Sequence, residues 1–166
     1  MKIKLPSCLF FVITAFLFIN SGCGIQKPGY SKHPVNFSFE MNKKQFRVSE
    51  FRGDPLLIVL VRISEISSEL FLKEIQKTYM QTKGKVQFMV LSIDSNDAPM
   101  LNMFEKFHQY PFHIGLAQVE VSLGKTELGI IPIVPSAYLL NDKGTIVDMA
   151  AGVVPAQNII NSINRL

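Results

Sequence analysis

Two nearly unbroken aliphatic runs, residues 56–63 (LLIVLVRI) and 86–93 (VQFMVLSI), constrain the fold of this chain more than any other feature. Runs of that length without polar alternation suit strands covered on both faces, the situation of parallel strands in α/β proteins. Between them, residues 65–82 place Leu72, Ile75 and Tyr79 at helical spacing, with Phe71 and Ile75 four apart and Glu69 and Lys73 paired on the side left exposed. Lys83-Gly84-Lys85 ends that helix. Residues 98–109 read as a second helix with Met100, Met103, Phe104 and Phe107 on one buried face, followed by a short extended segment at 112–117. Residues 136–140 (SAYLL) and 145–150 (TIVDMA) flank the turn Asn141-Asp142-Lys143-Gly144, a hairpin pattern. Residues 156–166 close with a helix bearing Ile159, Ile160 and Ile163, and residues 37–40 (FSFE) alternate as a short leading strand would. Strand and helix in alternation with a late hairpin predict an α/β domain whose central mixed sheet has an antiparallel edge.

Composition agrees with one folded domain. Of 166 residues, 48% are hydrophobic and 18% charged, and 13 phenylalanines supply core bulk, which excludes a disordered, collagen-like or coiled-coil chain. The placement of cysteine decides more. Cys8 and Cys23 are the only two, and residues 24–166 contain none. The folded part therefore has no internal disulfide, no cysteine-based zinc site and no cysteine nucleophile.

The first residues read as an export address. Lys2 and Lys4 precede an apolar run at 9–19 (LFFVITAFLFI) that is too short to span a bilayer as a helix but suits a signal-peptide core. The run ends in Asn20-Ser21-Gly22-Cys23, which resembles the bacterial lipobox, with Asn20 where that pattern prefers Leu. The resemblance implies a signal peptide over 1–22, lipidation of Cys23 and anchorage of the mature chain to a membrane facing the periplasm or cell exterior. Several acyl chains at ~0.8 kcal/mol per buried CH₂ make such an anchor lasting. Gly24, rather than Asp, after the cysteine implies the outer membrane in a cell that has one. Residues 23–36, polar and carrying Pro28, Gly29 and Pro34, read as lipidated Cys23 plus tether, and 37–166 as the domain. Lys2 and Lys4 leave with the signal, so the small excess of 17 basic over 13 acidic residues shrinks further. That balance and export both argue against a nucleic-acid partner.

The order β-α-β-α-β-β-α after an N-terminal extension resembles thioredoxin, and the wording is most similar to the membrane-tethered TlpA/ResA-like thiol–disulfide proteins of the redoxin group. Four pieces carry this: Val48-Ser49-Glu50-Phe51-Arg52-Gly53 before the first aliphatic run; that run itself; Val134-Pro135 followed by Ser136-Ala137-Tyr138-Leu139-Leu140 and the Asn141–Gly144 turn; and Gly152 near the end. The resemblance covers residues 37–166 and implies a thioredoxin-like fold with an N-terminal strand extension. It also implies a Cys-x-x-Cys at the start of the first long helix, where the helix dipole lowers a thiol pKa. The matching tetrapeptide here is Glu65-Ile66-Ser67-Ser68. Disulfide exchange runs through thiolate sulfur, so Glu65 and Ser68 mark a degenerate site with no catalytic residue.

Ser64, Ser67 and Ser68 are nucleophiles only with a base in reach; the plain expectation is that Ser64 or Ser67 caps the helix and that Glu65 or Glu69 complements its positive end. Met100, Met103, His108 and His113 mix thioether and imidazole, ligand types that suit copper, but without the cysteine pair a copper carrier ranks behind core packing; no cofactor and no metal site are assigned. In the resembled family the proline matching Pro135 follows a cis bond, and the residue before it pairs with an extended substrate. Here that implies a peptide groove at Ile66, Val134 and Pro135 with an apolar rim from Ile130, Ile131 and Ile133. The sequence thus favours non-catalytic binding of an envelope protein or peptide. An accessory part in a thiol–disulfide pathway comes second, and a copper carrier third.

Overall fold

A computed structural model describes residues 32–94 and 98–166; the signal-like segment, Cys23 and residues 24–31 of the expected tether lie outside the described residues. The chain runs β1 (Ser38–Met41), β2 (Lys44–Arg47), a 3₁₀ turn (Val48–Phe51), β3 (Leu56–Val61), α1 (Ile66–Thr82), β4 (Gln87–Ser92), α2 (Ala98–His108), β5 (Ile114–Ala117), α3 (Val119–Ser122), β6 (Ser136–Leu140), β7 (Ile146–Ala151) and α4 (Ala156–Ile163). Among the described residues seven strands form one mixed sheet in the order β2-β1-β5-β4-β3-β6-β7. β3 pairs parallel with β4 and β4 with β5, while β6 and β7 add antiparallel strands on one side and β1 and β2 on the other. No helix among the described residues is long and apolar enough to cross a membrane.

β3 shows why its sequence has no polar alternation. All six of its side chains are buried. Leu57, Val59 and Val61 meet Phe71, Leu72 and Ile75 of α1 and Ile159 of α4, whereas Leu56, Ile58 and Leu60 meet Val35, Phe39, Val121 and Tyr138 on the other face. Successive strand residues point to opposite faces, so a strand between two cores must be apolar throughout. Each such side chain removed from water contributes about 1.5–3 kcal/mol.

Four features differ from the sequence reading. Packing begins at Val35, which is fully buried, and Asn36 donates its N–H to Glu127, so the domain starts ahead of residue 37. β2 was absent from the pattern because Lys44, Gln45 and Arg47 face solvent on an edge strand; Asn42 and Lys43, both at positive φ, make the two-residue turn that returns it. α3 is too short to print a helical period. Finally, α2 buries Leu101 and packs Phe104 inward, but Met103 and Phe107 are 73% and 83% exposed and Met100 is 40% exposed. The four residues proposed for one buried face are therefore split. α2 rests on the sheet through positions 101, 104 and 105, with the Glu105 carboxylate accepting the Ile114 N–H at 2.7 Å, and this turns 100, 103 and 107 outward.

Candidate functional site

Strand register gathers the sequence-derived candidates at one end of the sheet. Val61 lies opposite Ser92 and Leu60 opposite Ser136, so the carboxyl ends of β3 and β4 share an end with the amino end of β6. Residues 62–65, the first turn of α1, Asp94 and Pro135 all stand there. The carboxyl ends of parallel strands are where open α/β sheets place ligands.

The polar groups of residues 62–68 and Asp94 are engaged with one another, while the buried Ser136 hydroxyl at the same end has no partner. Glu65 is the N-cap of α1 by backbone only: its carbonyl accepts the N–H groups of Ser68 (3.1 Å) and Glu69 (3.2 Å), and no side chain caps the helix. The Ser64 hydroxyl instead donates to Asp94 at 2.6 Å, and the Glu65 carboxylate pairs with Arg62 at 3.0 Å. Glu69 pairs with Lys73, and that contact holds its carboxyl below the ordinary value. The hydroxyl of Ser68 is fully buried and accepts the Arg62 N–H at 3.0 Å. It staples the β3–α1 loop and is shielded from any substrate. His108 packs against Phe104, Phe107 and Tyr110, and His113 points its Nδ1 toward Glu105 at 3.6 Å, so neither imidazole serves Ser68 as a base.

Asp94 is the hub that sequence reading missed. Its carboxylate accepts from the Ser64 and Ser92 hydroxyls, each at 2.6 Å, and from the backbone N–H groups of Ile63 (3.3 Å) and Ser64 (3.2 Å). Burial alone pushes its carboxyl up; the two serines and two backbone donors together outweigh that and hold it below the ordinary carboxylate value. An ionised, fully engaged Asp94 ties the β3–α1 loop to the end of β4. The available signal was its place just past an apolar parallel strand.

Several exposed apolar side chains stand at the same end. Ile66 is 78% exposed, Ile130 84% and Ile133 51%; Val134 is half-buried, Pro135 is buried behind a cis Val134–Pro135 bond, and Ile131 turns inward to the core. Ile66, Val134 and Pro135 thus stand at the same end of the sheet; of the expected rim residues Ile130 and Ile133 are exposed, Val134 is half-buried and Ile131 is not outward.

The copper candidates do not converge in the same way. Met100 and Met103 lie on the outer side of α2, His108 is held in an aromatic stack with Tyr110 (ring planes 8° apart), and His113 faces Glu105. Among the described residues no group of three or more His, Cys, Asp or Glu is placed to hold a metal. A larger hollow, about 430 Å³, opens between α4 and β7 over Leu57, Leu139 and Ile159. Its rim closes on itself: Ser162 donates to Asp148, and Arg165 donates to both.

Comparisons place this architecture. StoA from Bacillus subtilis superposes with a TM-score of 0.63 at 16% identity, covering 78% of this chain and 96% of that one. A DsbF homologue from Corynebacterium diphtheriae gives 0.69 at 13%, covering 80% and 85%. The pneumococcal exposed lipoprotein thioredoxin from Streptococcus pneumoniae gives 0.65 at 11%, covering 79% and 99%. No protein-family profile and no curated protein sequence matches the chain. At these identities the likeness shows the fold: the chain has a thioredoxin-like α/β fold, a mixed seven-stranded sheet flanked by helices.

Proposed function

We propose that this protein is a thioredoxin-like domain anchored in the cell envelope through lipidated Cys23, and that it binds an extended segment of a partner protein without thiol chemistry of its own. One observation carries the reading. The end of the sheet where the resembled family keeps two cysteines has here Ser64, Ser68 and Asp94 engaged with neighbouring protein groups and a buried Ser136 hydroxyl without a partner, while Ile66, Ile130 and Ile133 are exposed. Residues 24–166 contain no sulfur nucleophile to form a mixed disulfide. Solvated isoleucines at a strand-end surface gain by being covered, and an extended chain supplies both apolar side chains and backbone partners. The name of the Streptococcus pneumoniae neighbour, an exposed lipoprotein, is in keeping with the anchored state.

The test is crosslinked capture from detergent-solubilised envelopes with wild type and Val134→Asp. A carboxylate in the half-buried Val134 position should lower capture of the partner at least tenfold while the circular dichroism spectrum stays unchanged. Equal capture by both proteins removes the groove from the reading. A second reading has support in what the solved neighbours are: several are named as thiol–disulfide proteins. This chain would then hold a redox enzyme or its substrate without exchanging electrons, and its deletion would shift the disulfide state of envelope proteins.

A further inference from the structure

Among the described residues β7 is one edge of the sheet and β2 the other. β7 rises from the turn that receives Val35, whose N–H donates to the Gly144 carbonyl at 2.9 Å and which marks the root end of the sheet, to Gly152 at the groove end. The two edges are guarded differently. β2 has four residues and sets Lys44 and Arg47 in solvent, charges of the kind that blunt an edge. β7 has six residues (IVDMAA) and a single charge, Asp148, which is folded back onto α4: its carboxylate accepts from the Ser162 hydroxyl and from Arg165 at 3.3 Å.

The register says which backbone groups face the open side. Gly152 donates its N–H to the Pro135 carbonyl at 2.8 Å, so that pair is hydrogen-bonded. Antiparallel pairs alternate, so Ala150, opposite Ala137, also bonds to β6, whereas Met149 and Ala151 turn their N–H and C=O away from it. They stand two residues apart, the repeat at which a further strand pairs. The Met149 N–H meanwhile donates to the neighbouring Asp148 carboxylate at 2.9 Å.

Beside this edge lies the hollow of about 430 Å³ between β7 and α4, a volume in the range of ligand sites. Asp148 and Ala150 share a sheet face with Leu139 and Ala137, and Leu57 and Ile159 complete the apolar floor. An open strand edge with an apolar hollow between it and a helix suits an extended peptide: the main chain pairs with the edge, and a pocket receives an alternate side chain. A second copy of this chain fits less well. In any antiparallel pairing of β7 with itself, the residues laid over the hollow are Asp148, Ala150 and Gly152, which bring a like charge or too little bulk.

We propose that β7 and α4 form a second recognition site, which takes an extended peptide of a partner protein as an eighth strand and seats one of its large aliphatic or aromatic side chains in the hollow. A peptide carbonyl takes the Met149 N–H from Asp148, which is thus the internal competitor for that donor. The site is separate from the surface at Val134 and does not rest on the anchored reading.

The test selects seven-residue peptides from a random display library on the full chain in detergent micelles and measures them by fluorescence anisotropy. Selected peptides should carry large apolar residues at alternate positions, and binding should slow hydrogen exchange of the Ala151 amide at least tenfold. Ala151→Pro removes a donor that faces the open side and not one of the ladder, so the sheet is kept and affinity should fall at least tenfold. Asn158→Phe, at an exposed position of α4 on the rim, fills the hollow from the solvent side and should do the same. Asp148→Ala frees the Met149 N–H and should raise affinity several-fold, while Val134→Asp should leave it unchanged. A selection without binders, binders indifferent to both Ala151→Pro and Asn158→Phe, or binders lost only with Val134→Asp overturn the proposal. Self-association in sedimentation that Ala151→Pro abolishes gives the edge to a second copy and overturns it as well.

Discussion

Each end of this sheet is organised by one polar side chain, and the two differ in a way that separates structure from recognition. At the root end Asn141 is the hub: its Oδ1 accepts from the N–H groups of Lys143 (3.1 Å) and Thr145 (3.0 Å) and from the Thr145 hydroxyl (2.9 Å). At the groove end Asp94 collects four donors from three residues, two in the β3–α1 loop and one at the end of β4. Around the neutral hub Val35 is buried against the core and Gly144, at φ +80, lets the turn close over it beside Arg52 and Pro34, while Met80 and Val147 stay exposed nearby. Around the charged hub the buried Ser136 hydroxyl has no partner, and Ile66, Ile130 and Ile133 stay in solvent.

The largest effect expected from breaking this contrast is at the root. Val35→Ala removes two methyl groups from a fully buried position and should cost about 2–3 kcal/mol in urea melts. It should leave partner capture by the folded protein unchanged. A loss of capture at constant folded fraction would mean that the ends are coupled.

The charged hub gives the next effect, and pH isolates it. The folded-state pKa of Asp94 is lowered, so its contribution is fully present above the unfolded value, near 3.8, and is lost as pH falls through the folded value. Asp94→Asn should cost about 1 kcal/mol at pH 6, allowing for the solvent exposure of this carboxylate, and the gap to wild type should close below pH ~4. Glu69 and Glu74 are lowered as well, held by Lys73 and Lys77, and so tilt both proteins in the same direction. The difference between the two melts therefore reports Asp94. A gap that does not narrow at all as pH falls below 3.8 would show that geometry, and not charge, holds the β3–α1 loop. Variants of Asn141 should show no such pH dependence.

The same two ends show what the sequence could and could not say. β3, β4 and the β6–β7 hairpin were legible because burial on both faces and a four-residue turn leave strong local patterns. The outward face of α2 was not legible. Met100, Met103 and Phe107 have core composition, and only the seating of Leu101 and Phe104 on the sheet decides that they point away. Asp94 was hidden for another reason. Its donors at Ile63 and Ser64 lie about thirty residues upstream, so no window of sequence contains the cluster that fold topology assembles.

The smallest stability effect is the sharpest test of what the exposed isoleucines are for. Ile130 is 84% exposed, and removing it deletes almost no buried contact, so Ile130→Ser should move stability by no more than about 0.5 kcal/mol. If the groove end is a protein-docking surface, the same change should weaken partner capture several-fold, because the side chain is solvated only in the unbound state. Ile133→Ser should do likewise, and the double variant should depart from the sum of the two single losses, as expected of neighbouring contacts on one occupant. Unchanged capture in both variants, with unchanged stability, would leave the isoleucines without a role in binding and move recognition to the outer face of α2, where Met103 and Phe107 are the next apolar side chains in solvent.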